Sequence, residues 1–146
     1  PSGNRRVLVS FGGNDEHGLS GWARHALLRF GPCTPTDYGS MAEAMVDADV
    51  LVTSCGRTVN EAAAVGVPTV AVAANQRETS HVHVDGVLYA GLHVSVSPCW
   101  LADTVGALLD RPHVLADISA RMRSQVDGLG ARRIARRVDD LLEGLT

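Results

Sequence analysis

The segment that decides the fold is residues 54–78, which reads SCGRTVNEAAAVGVPTVAVAANQRE. A helical stretch at residues 59–65 ends at a glycine and a proline, and the β-branched run Thr69–Ala73 follows at once. Another apolar run, Val50–Thr53, precedes it, so the order predicts a strand, a helix and a second strand. Because strands that alternate with helices pair in parallel, this segment indicates an α/β fold.

The flanking sequence extends the same pattern in both directions. Before the central segment we predict a strand at residues 5–11, a helix at 20–30, and a helix at 41–49 that opens with a Ser40–Glu43 capping box. After it we predict a helix at about 78–89, a strand at 92–96, and helices at 101–109, 114–126 and 131–143. The sequence therefore predicts one α/β domain over residues 1–146, with a parallel sheet flanked by helices.

Composition and charge exclude several classes of function. The net charge of -3 gives no electrostatic reason to expect nucleic acid or an anionic membrane as a partner. All 13 basic residues are arginine, which excludes a P-loop lysine and a lysine Schiff base. The three cysteines form no CxxC pair, so neither a disulfide framework nor a zinc knuckle is expected. With no apolar run of about 18 residues and no signal pattern, we expect a cytoplasmic protein without a membrane span.

The first residues, PSGN, read as a linker or a remnant of cloning, because the chain does not open with Met. We therefore expect the sequence to be a piece of a longer protein.

Three loops follow strands at the edge of the sheet where α/β proteins bind ligands. The first contains Gly12, Gly13 and Asn14 directly after a strand. Glycine lets the backbone approach a ligand closely, and unpaired amide groups there attract anions. The alternative is a plain tight turn, since the stretch matches no known phosphate-binding glycine motif.

The second loop places Gly56, Arg57 and Thr58 at the start of the central helix. Free amide groups at a helix N-terminus favour a phosphate, and a guanidinium could add a bidentate contact. However, Thr58 and Glu61 also have the spacing of a capping box, and from the residues alone we favour that interpretation. Cys55 beside them is either an activated thiol or, as we prefer, a small loop filler.

The third loop contains Asn75 and Gln76, whose amide side chains suit sugar hydroxyl groups. The alternative is that Asn75 only bonds its own backbone. His81 and His83 are two positions apart and do not share a helix face, so we expect no metal site. The arginines at positions 121, 123, 132, 133, 136 and 137 are interleaved with acids and predict a solvated helix face.

Several of these stretches together resemble a known family. The block TVNEAAAVGVP at residues 58–68, followed one strand later by Gln76, resembles the C-terminal nucleotide-sugar-binding domain of GT-B glycosyltransferases of the MurG type. The stretches VSFGGND (9–15), ANQ (74–76) and QVDGLGARRIARRV (125–138) are most similar to the UDP-sugar hydrolases of pseudaminic acid biosynthesis, the PseG type. The resemblance spans nearly the whole chain and implies a Rossmann-like domain.

The resemblance implies a role for each loop. Glu61 would hold the ribose hydroxyl groups, residues 56–58 the diphosphate, and Gln76 the sugar of a UDP-sugar, while Gly12 and Gly13 would border an interdomain cleft. No metal or other cofactor is implied. The acceptor domain and its catalytic base lie in the family's N-terminal half, which this chain lacks, so no catalytic residue is assigned. The chain would then be the donor half of a two-domain glycosyltransferase or hydrolase.

Two departures from the family pattern bear on this expectation. Cys55 and Arg57 are bulkier than the small residues usual there. Residues 31–39, GPCTPTDYG, stand where the family has a strand, a helix and a strand, so we predict a reduced sheet of about four strands. Two other readings stay open. The chain could be a stand-alone subunit that pairs with an acceptor-domain protein, or a degenerate domain that binds a nucleotide or a protein without turnover.

Overall fold

The computed structural model describes residues 5–144 of the chain. The predicted linker at residues 1–4 lies outside the described residues. The strands and α-helices are β1 (Val7–Ser10), α1 (Leu19–Ala26), α2 (Met41–Asp47), β2 (Val50–Thr53), α3 (Thr58–Val65), β3 (Thr69–Ala73), β4 (Leu88–Leu92), α4 (Pro98–Leu109), α5 (Pro112–Gln125) and α6 (Gly130–Glu143). Short 3₁₀ turns occupy Leu28–Phe30, Pro35–Asp37, Gln76–Ser80 and His93–Ser95.

The sheet has four parallel strands in the order β1-β2-β3-β4. Val7 pairs with Val50, and Leu51 pairs with Thr69. The predicted α/β class, the parallel pairing and the reduced strand number are confirmed. Since all four strands run in the same direction, their carboxyl ends meet at one edge of the sheet.

The short link between α1 and α2 lies beside β1. Cys33 forms an isolated parallel bridge with Leu8. The Cys33 N–H donates to the Val7 carbonyl and the Val9 N–H donates to the Cys33 carbonyl, each at 2.9 Å. The link therefore covers the outer edge of β1, which would otherwise expose unpaired backbone groups.

Side chains of successive strand residues enter two separate cores. On one face of the sheet, Val7, Val9 and their counterparts in β2 and β3 pack against α1 and α4. On the other face, Leu8 and Leu51 pack with residues of α2 and α3. Both faces of β2 and β3 are buried, which is why these two strands are continuous apolar runs in the sequence.

The segment after β3 differs from the sequence prediction. The helix predicted at residues 78–89 and the strand predicted at 92–96 are wrong: a 3₁₀ turn ends at Ser80, and the strand is Leu88–Leu92. Gly86 has φ +96°, a left-handed conformation that cannot continue an α-helix. Because Leu88 pairs with Val70, the strand begins at residue 88, several residues before the alternating stretch 92–96 that predicted it.

The remaining helices lie close to their predicted positions. The first one is shorter than predicted: α1 ends at Ala26 and continues only as the 3₁₀ turn Leu28–Phe30. Before α2, the Ser40 hydroxyl accepts the Glu43 N–H at 3.2 Å, as a capping residue should. Within residues 5–144, none of the helices combines the length and the apolar character needed to cross a membrane.

Candidate functional site

Two cavities lie at the carboxyl edge of the sheet, among the loops singled out from the sequence. The larger one, of about 430 Å³, is lined by Gly12 and Gly13 after β1 and by Thr58 in the first turn of α3. Arg24 of α1 and the turn at residues 34–36 complete its wall. The structure thus brings together three of the predicted site residues, and it adds a guanidinium that the sequence did not single out.

The second cavity, of about 200 Å³, brings Asn14 together with Asn75. Its other polar lining residues are Asp15, Glu16, His17, Ser54 and Glu78. The remaining predicted residues, Gly56, Arg57, Glu61 and Gln76, line neither of these two cavities. The predicted site is therefore spread over two cavities and the exposed surface of the first turns that follow β2 and β3.

Asp15 occupies the N-terminus of α1. Its two carboxylate oxygens accept the backbone N–H groups of Leu19 and Ser20, each at 2.7 Å. Burial acts to raise the pKa of Asp15, but the hydrogen bonds from Ser20 and Leu19 outweigh it and hold the pKa below its usual value. These two amide groups are thus already paired with an anion of the chain itself.

Glu78 joins the loops that follow β2 and β3. Its Oε2 atom accepts the backbone N–H of Ala74 at 2.9 Å and that of Cys55 at 3.3 Å. The Glu78 N–H in turn donates to the Asn75 Oδ1 atom at 3.2 Å. Asn75 therefore does bond nearby backbone, which was the alternative reading of this residue, and only its amide nitrogen remains to donate to a ligand.

Cys55 is a structural residue. Its side chain is buried, and burial together with the neighbouring Glu78 charge raises the pKa of the thiol to about 12. Because the thiolate is the reactive form, Cys55 is a poor nucleophile at neutral pH. The prediction of a small loop filler is confirmed.

The first turn of α3 does not form the capping box that the spacing of Thr58 and Glu61 suggests. The helix begins at Thr58, and Arg57 is the residue at the N-cap, without a side-chain cap bond. The Glu61 N–H donates to the Arg57 carbonyl at 3.2 Å. Both charged side chains are exposed, and neither forms a hydrogen bond or an ion pair with any part of the chain that the structure describes. They are available to a ligand.

Sequence reasoning missed a pair of histidines at the same edge of the sheet. The rings of His17 and His93 stack with their centroids 5.0 Å apart and their planes inclined by 27°. His17 follows β1 and His93 follows β4, the two outermost strands, so the loop containing His17 crosses the ends of β2 and β3. The buried Nδ1 atom of His93 has no hydrogen-bond partner among the described residues.

No arrangement in residues 5–144 groups three or more histidine, cysteine, aspartate or glutamate side chains as metal ligands would require. His81 and His83 are exposed in the irregular segment between the 3₁₀ turn and β4. Neither of these two histidines lines the two cavities described above.

The comparisons with known proteins find a structural likeness alone. No family model matches the chain, and no curated protein matches it. A solved structure described as the glycotransferase of kitacinnamycin superposes with a TM-score of 0.61 at 18% sequence identity, over 94% of this chain. The chain spans 44% of the length of that protein. The chain therefore shares its α/β fold, a parallel sheet flanked by helices, with part of that structure.

Proposed function

We propose that this chain is the donor-binding domain of a GT-B enzyme of the MurG or PseG type and that it binds a UDP-sugar. The observation that supports this most is the cavity at the carboxyl edge, where Gly12, Gly13 and Thr58 meet in a glycosyltransferase-like fold. Open α/β sheets bind nucleotides at this edge.

The diphosphate would lie between the glycine turn after β1 and the first turn of α3. The first amide groups of a helix have no partner within the helix, and its dipole favours negative charge there. Gly56 and Thr58 would supply amide groups, and the exposed guanidinium of Arg57 a charge-assisted contact. The N-terminus of α1 is a poorer phosphate site, because Asp15 already occupies it.

The other parts of the ligand would fall to the remaining predicted residues. The free carboxylate of Glu61 would accept hydrogen bonds from the ribose hydroxyl groups. Asn14, Asn75 and Gln76 would hydrogen-bond the sugar. Two of these three, Asn14 and Asn75, line one cavity, which supports a shared task.

The reaction would be glycosyl transfer or cleavage of the sugar C–O bond by water. The departing diphosphate would be stabilised by the α3 dipole and by Arg57. No metal ion or other cofactor is needed by this scheme. The acceptor site and the catalytic base would come from an acceptor domain, in the same chain or in a partner, which agrees with the chain spanning 44% of the glycotransferase.

Titration of the ¹⁵N-labelled chain with UDP tests this proposal, followed by amide chemical shifts to about 5 mM UDP. We expect the shifts to concentrate at Gly12, Gly13 and residues 56–61, with the amides of α5 as internal control. Shifts that are absent, or that cluster away from the carboxyl edge, would show that the chain is not a donor-binding domain.

A further inference from the structure

The two cavities at the carboxyl edge of the sheet differ in charge. Of the described residues that line the larger cavity, Arg24 alone carries a charge. Three carboxylates and a histidine line the smaller cavity: Asp15, Glu16, Glu78 and His17. A cleft lined by one sign of charge attracts ligands of the opposite sign, so an anionic group is directed to the larger cavity. The volume of the larger cavity, about 430 Å³, is also within the range of about 300–1,000 Å³ typical of small-molecule sites.

Arg24 has both the position and the freedom to bind such a group. Ser20 and Arg24 are four residues apart in α1, so they share one face of the helix, and both line the larger cavity. The Arg24 side chain is exposed and forms no hydrogen bond or ion pair with another residue of the described chain. A guanidinium presents its N–H groups in a planar fork that matches two phosphate oxygens. Arg24 can therefore donate two hydrogen bonds to an anion in the cavity.

Asp37 is close enough to affect Arg24 electrostatically but does not pair with it. The Thr34 N–H and hydroxyl groups both donate to the Asp37 Oδ2 atom, at 2.6 and 3.1 Å. These hydrogen bonds hold the pKa of Asp37 below its usual value, and the charge of Arg24 lowers it further. The Asp37 carboxylate thus fixes the turn at residues 34–36, which forms part of the cavity wall, and leaves the guanidinium unpaired.

The sheet beside the larger cavity has hydroxyl groups without acceptors. Ser10 and Thr58 line the cavity, and their hydroxyl groups form no hydrogen bond within the described chain. Thr53 pairs with Ser10 across β1 and β2, so the two side chains leave the sheet on the same face. Thr53 is fully buried, and its hydroxyl group also has no partner in residues 5–144, which is unusual for a buried polar group. This end of the sheet therefore lacks hydrogen-bond acceptors, which an anion rich in oxygen supplies.

We propose that Arg24 binds the diphosphate of the donor in the larger cavity, together with the backbone amide groups of Gly12 and Gly13. This inference rests on the proposed function for the identity of the ligand, and it adds a cation that the sequence did not indicate. Arg57 lines neither cavity, so it contributes less to diphosphate binding than Arg24 does.

Calorimetric titration with UDP and, separately, with inorganic pyrophosphate tests the inference on the parent chain, Arg24→Gln and Arg24→Lys. We expect Arg24→Gln to weaken both ligands about tenfold and to make their affinity less dependent on salt concentration. Arg24→Lys keeps the charge without the planar fork, so it should recover part of the loss. Arg132→Gln, the same loss of charge at an exposed position of α6, is the control and should change neither affinity.

A readout of folding accompanies these titrations. Arg24 is in the last turn of α1, where a cation interacts favourably with the helix dipole. The melting temperature of Arg24→Gln should therefore fall slightly, and Arg24→Lys should restore it fully. The loss of ligand affinity, by contrast, should be restored by lysine only in part, which separates a role in binding from a role in the helix.

The outcomes separate this inference from the proposed function. If the parent chain binds UDP and Arg24→Gln binds it equally well, the role of Arg24 is overturned while the proposed function stands. If pyrophosphate binds in an Arg24-dependent way and UDP binds no more tightly, the diphosphate site is supported and the nucleotide-sugar proposal fails. A parent chain that binds neither ligand would overturn both.

Discussion

Glu78 binds the backbone N–H of Cys55 at 3.3 Å, although 23 residues separate the two in the chain. The same carboxylate oxygen also accepts the Ala74 N–H at 2.9 Å. One side chain thus holds together the loops after β2 and β3, which contain most of the proposed ligand contacts. We regard Glu78 as a residue that positions these loops.

Replacement of Glu78 by alanine should lower the free energy of unfolding by about 1–3 kcal/mol, because two amide groups lose a charged acceptor. Glu78→Gln keeps an acceptor oxygen at the same place and should cost clearly less. Urea unfolding of the three proteins measures the difference. Equal stability of the alanine variant and the parent chain would show that the bridge contributes nothing.

Gly66, which ends α3, should not tolerate a side chain. Its φ is +84°, and a Cβ atom there would meet the side chain of Arg123, whose Nε atom donates to the Val65 carbonyl at 2.9 Å. Gly66→Ala should therefore reduce stability by about 1–2 kcal/mol.

Gly21 in α1 provides the matched control for Gly66, because a Cβ atom there meets nothing within 4 Å. Gly21→Ala should leave stability unchanged or raise it by up to about 1 kcal/mol. Thermal unfolding of both variants compares them directly. A Gly66→Ala variant as stable as Gly21→Ala would contradict the conformational argument.

Burial of Cys55 should make the chain less stable in alkali. Its thiol pKa is raised from 9.0 to about 12, so the folded state binds this proton more tightly than the unfolded state. The protonated Cys55 thiol therefore makes its full contribution to the free energy of unfolding below pH 9.0. This contribution is lost as the pH rises toward about 12. Unfolding free energies at a series of pH values above 8 should fall more steeply for the parent chain than for Cys55→Ala.

The tyrosines act in the same direction, since the pKa of both Tyr38 and Tyr89 is raised, by a hydrogen bond with Cys33 in the first case and by burial in the second. Both tyrosines remain in the Cys55→Ala variant, but the Cys55 charge also helps to raise the pKa of Tyr89, so the difference between the two slopes reports on Cys55 together with this interaction. If the unfolding free energy fell equally steeply with pH in both proteins, the raised thiol pKa of Cys55 would be contradicted.

The isolated chain should bind a UDP-sugar without hydrolysing it. The proposed domain supplies only the donor side of the cleft, so we expect a dissociation constant between micromolar and millimolar. This range corresponds to a binding free energy of about 4–8 kcal/mol. Release of free sugar, followed by chromatography, measures turnover. Hydrolysis at about 1 per second or faster would refute the prediction. His17, in the smaller cavity, would then be the first residue to replace.

The central βαβ unit was predictable because its signals are local. The β2 and β3 strands are continuous apolar runs, since both faces of the sheet are covered, and their bounds match the prediction. α3 begins one residue before its predicted start and ends at the predicted glycine. In each case the apolar pattern and the residues that end the element, such as glycine and proline, indicate the same secondary structure.

The secondary structure of residues 76–96 could not be predicted from local signals. Glu78 has the sequence context of a helix start, yet its carboxylate turns back to bind two amide groups of neighbouring loops. The stretch 92–96 alternates like a strand, but pairing with β3 begins at Leu88. Both outcomes depend on contacts that are distant in the sequence, which local patterns do not report.

In the candidate site, too, features that depend on local sequence were predictable and features that depend on distant contacts were not. The three ligand loops follow from the strand order, since parallel strands present their carboxyl ends together. The stacking of His17 on His93 joins loops that follow the two outermost strands. No pattern in the sequence around either histidine predicts this contact. The Thr58–Glu61 spacing suggested a cap that the helix start at Thr58 does not form.

The most direct test of the account is the affinity for UDP of the parent chain and of Glu61→Gln, measured by calorimetry. Because the Glu61 carboxylate is exposed and forms no side-chain cap, its replacement should weaken UDP binding about tenfold or more but lower the melting temperature only slightly, through the lost interaction with the helix dipole. Asp117→Asn, the same loss of charge at an exposed position of α5, should change neither quantity. Unchanged UDP affinity in Glu61→Gln, together with a lower melting temperature, would contradict the account and show that Glu61 serves only the helix.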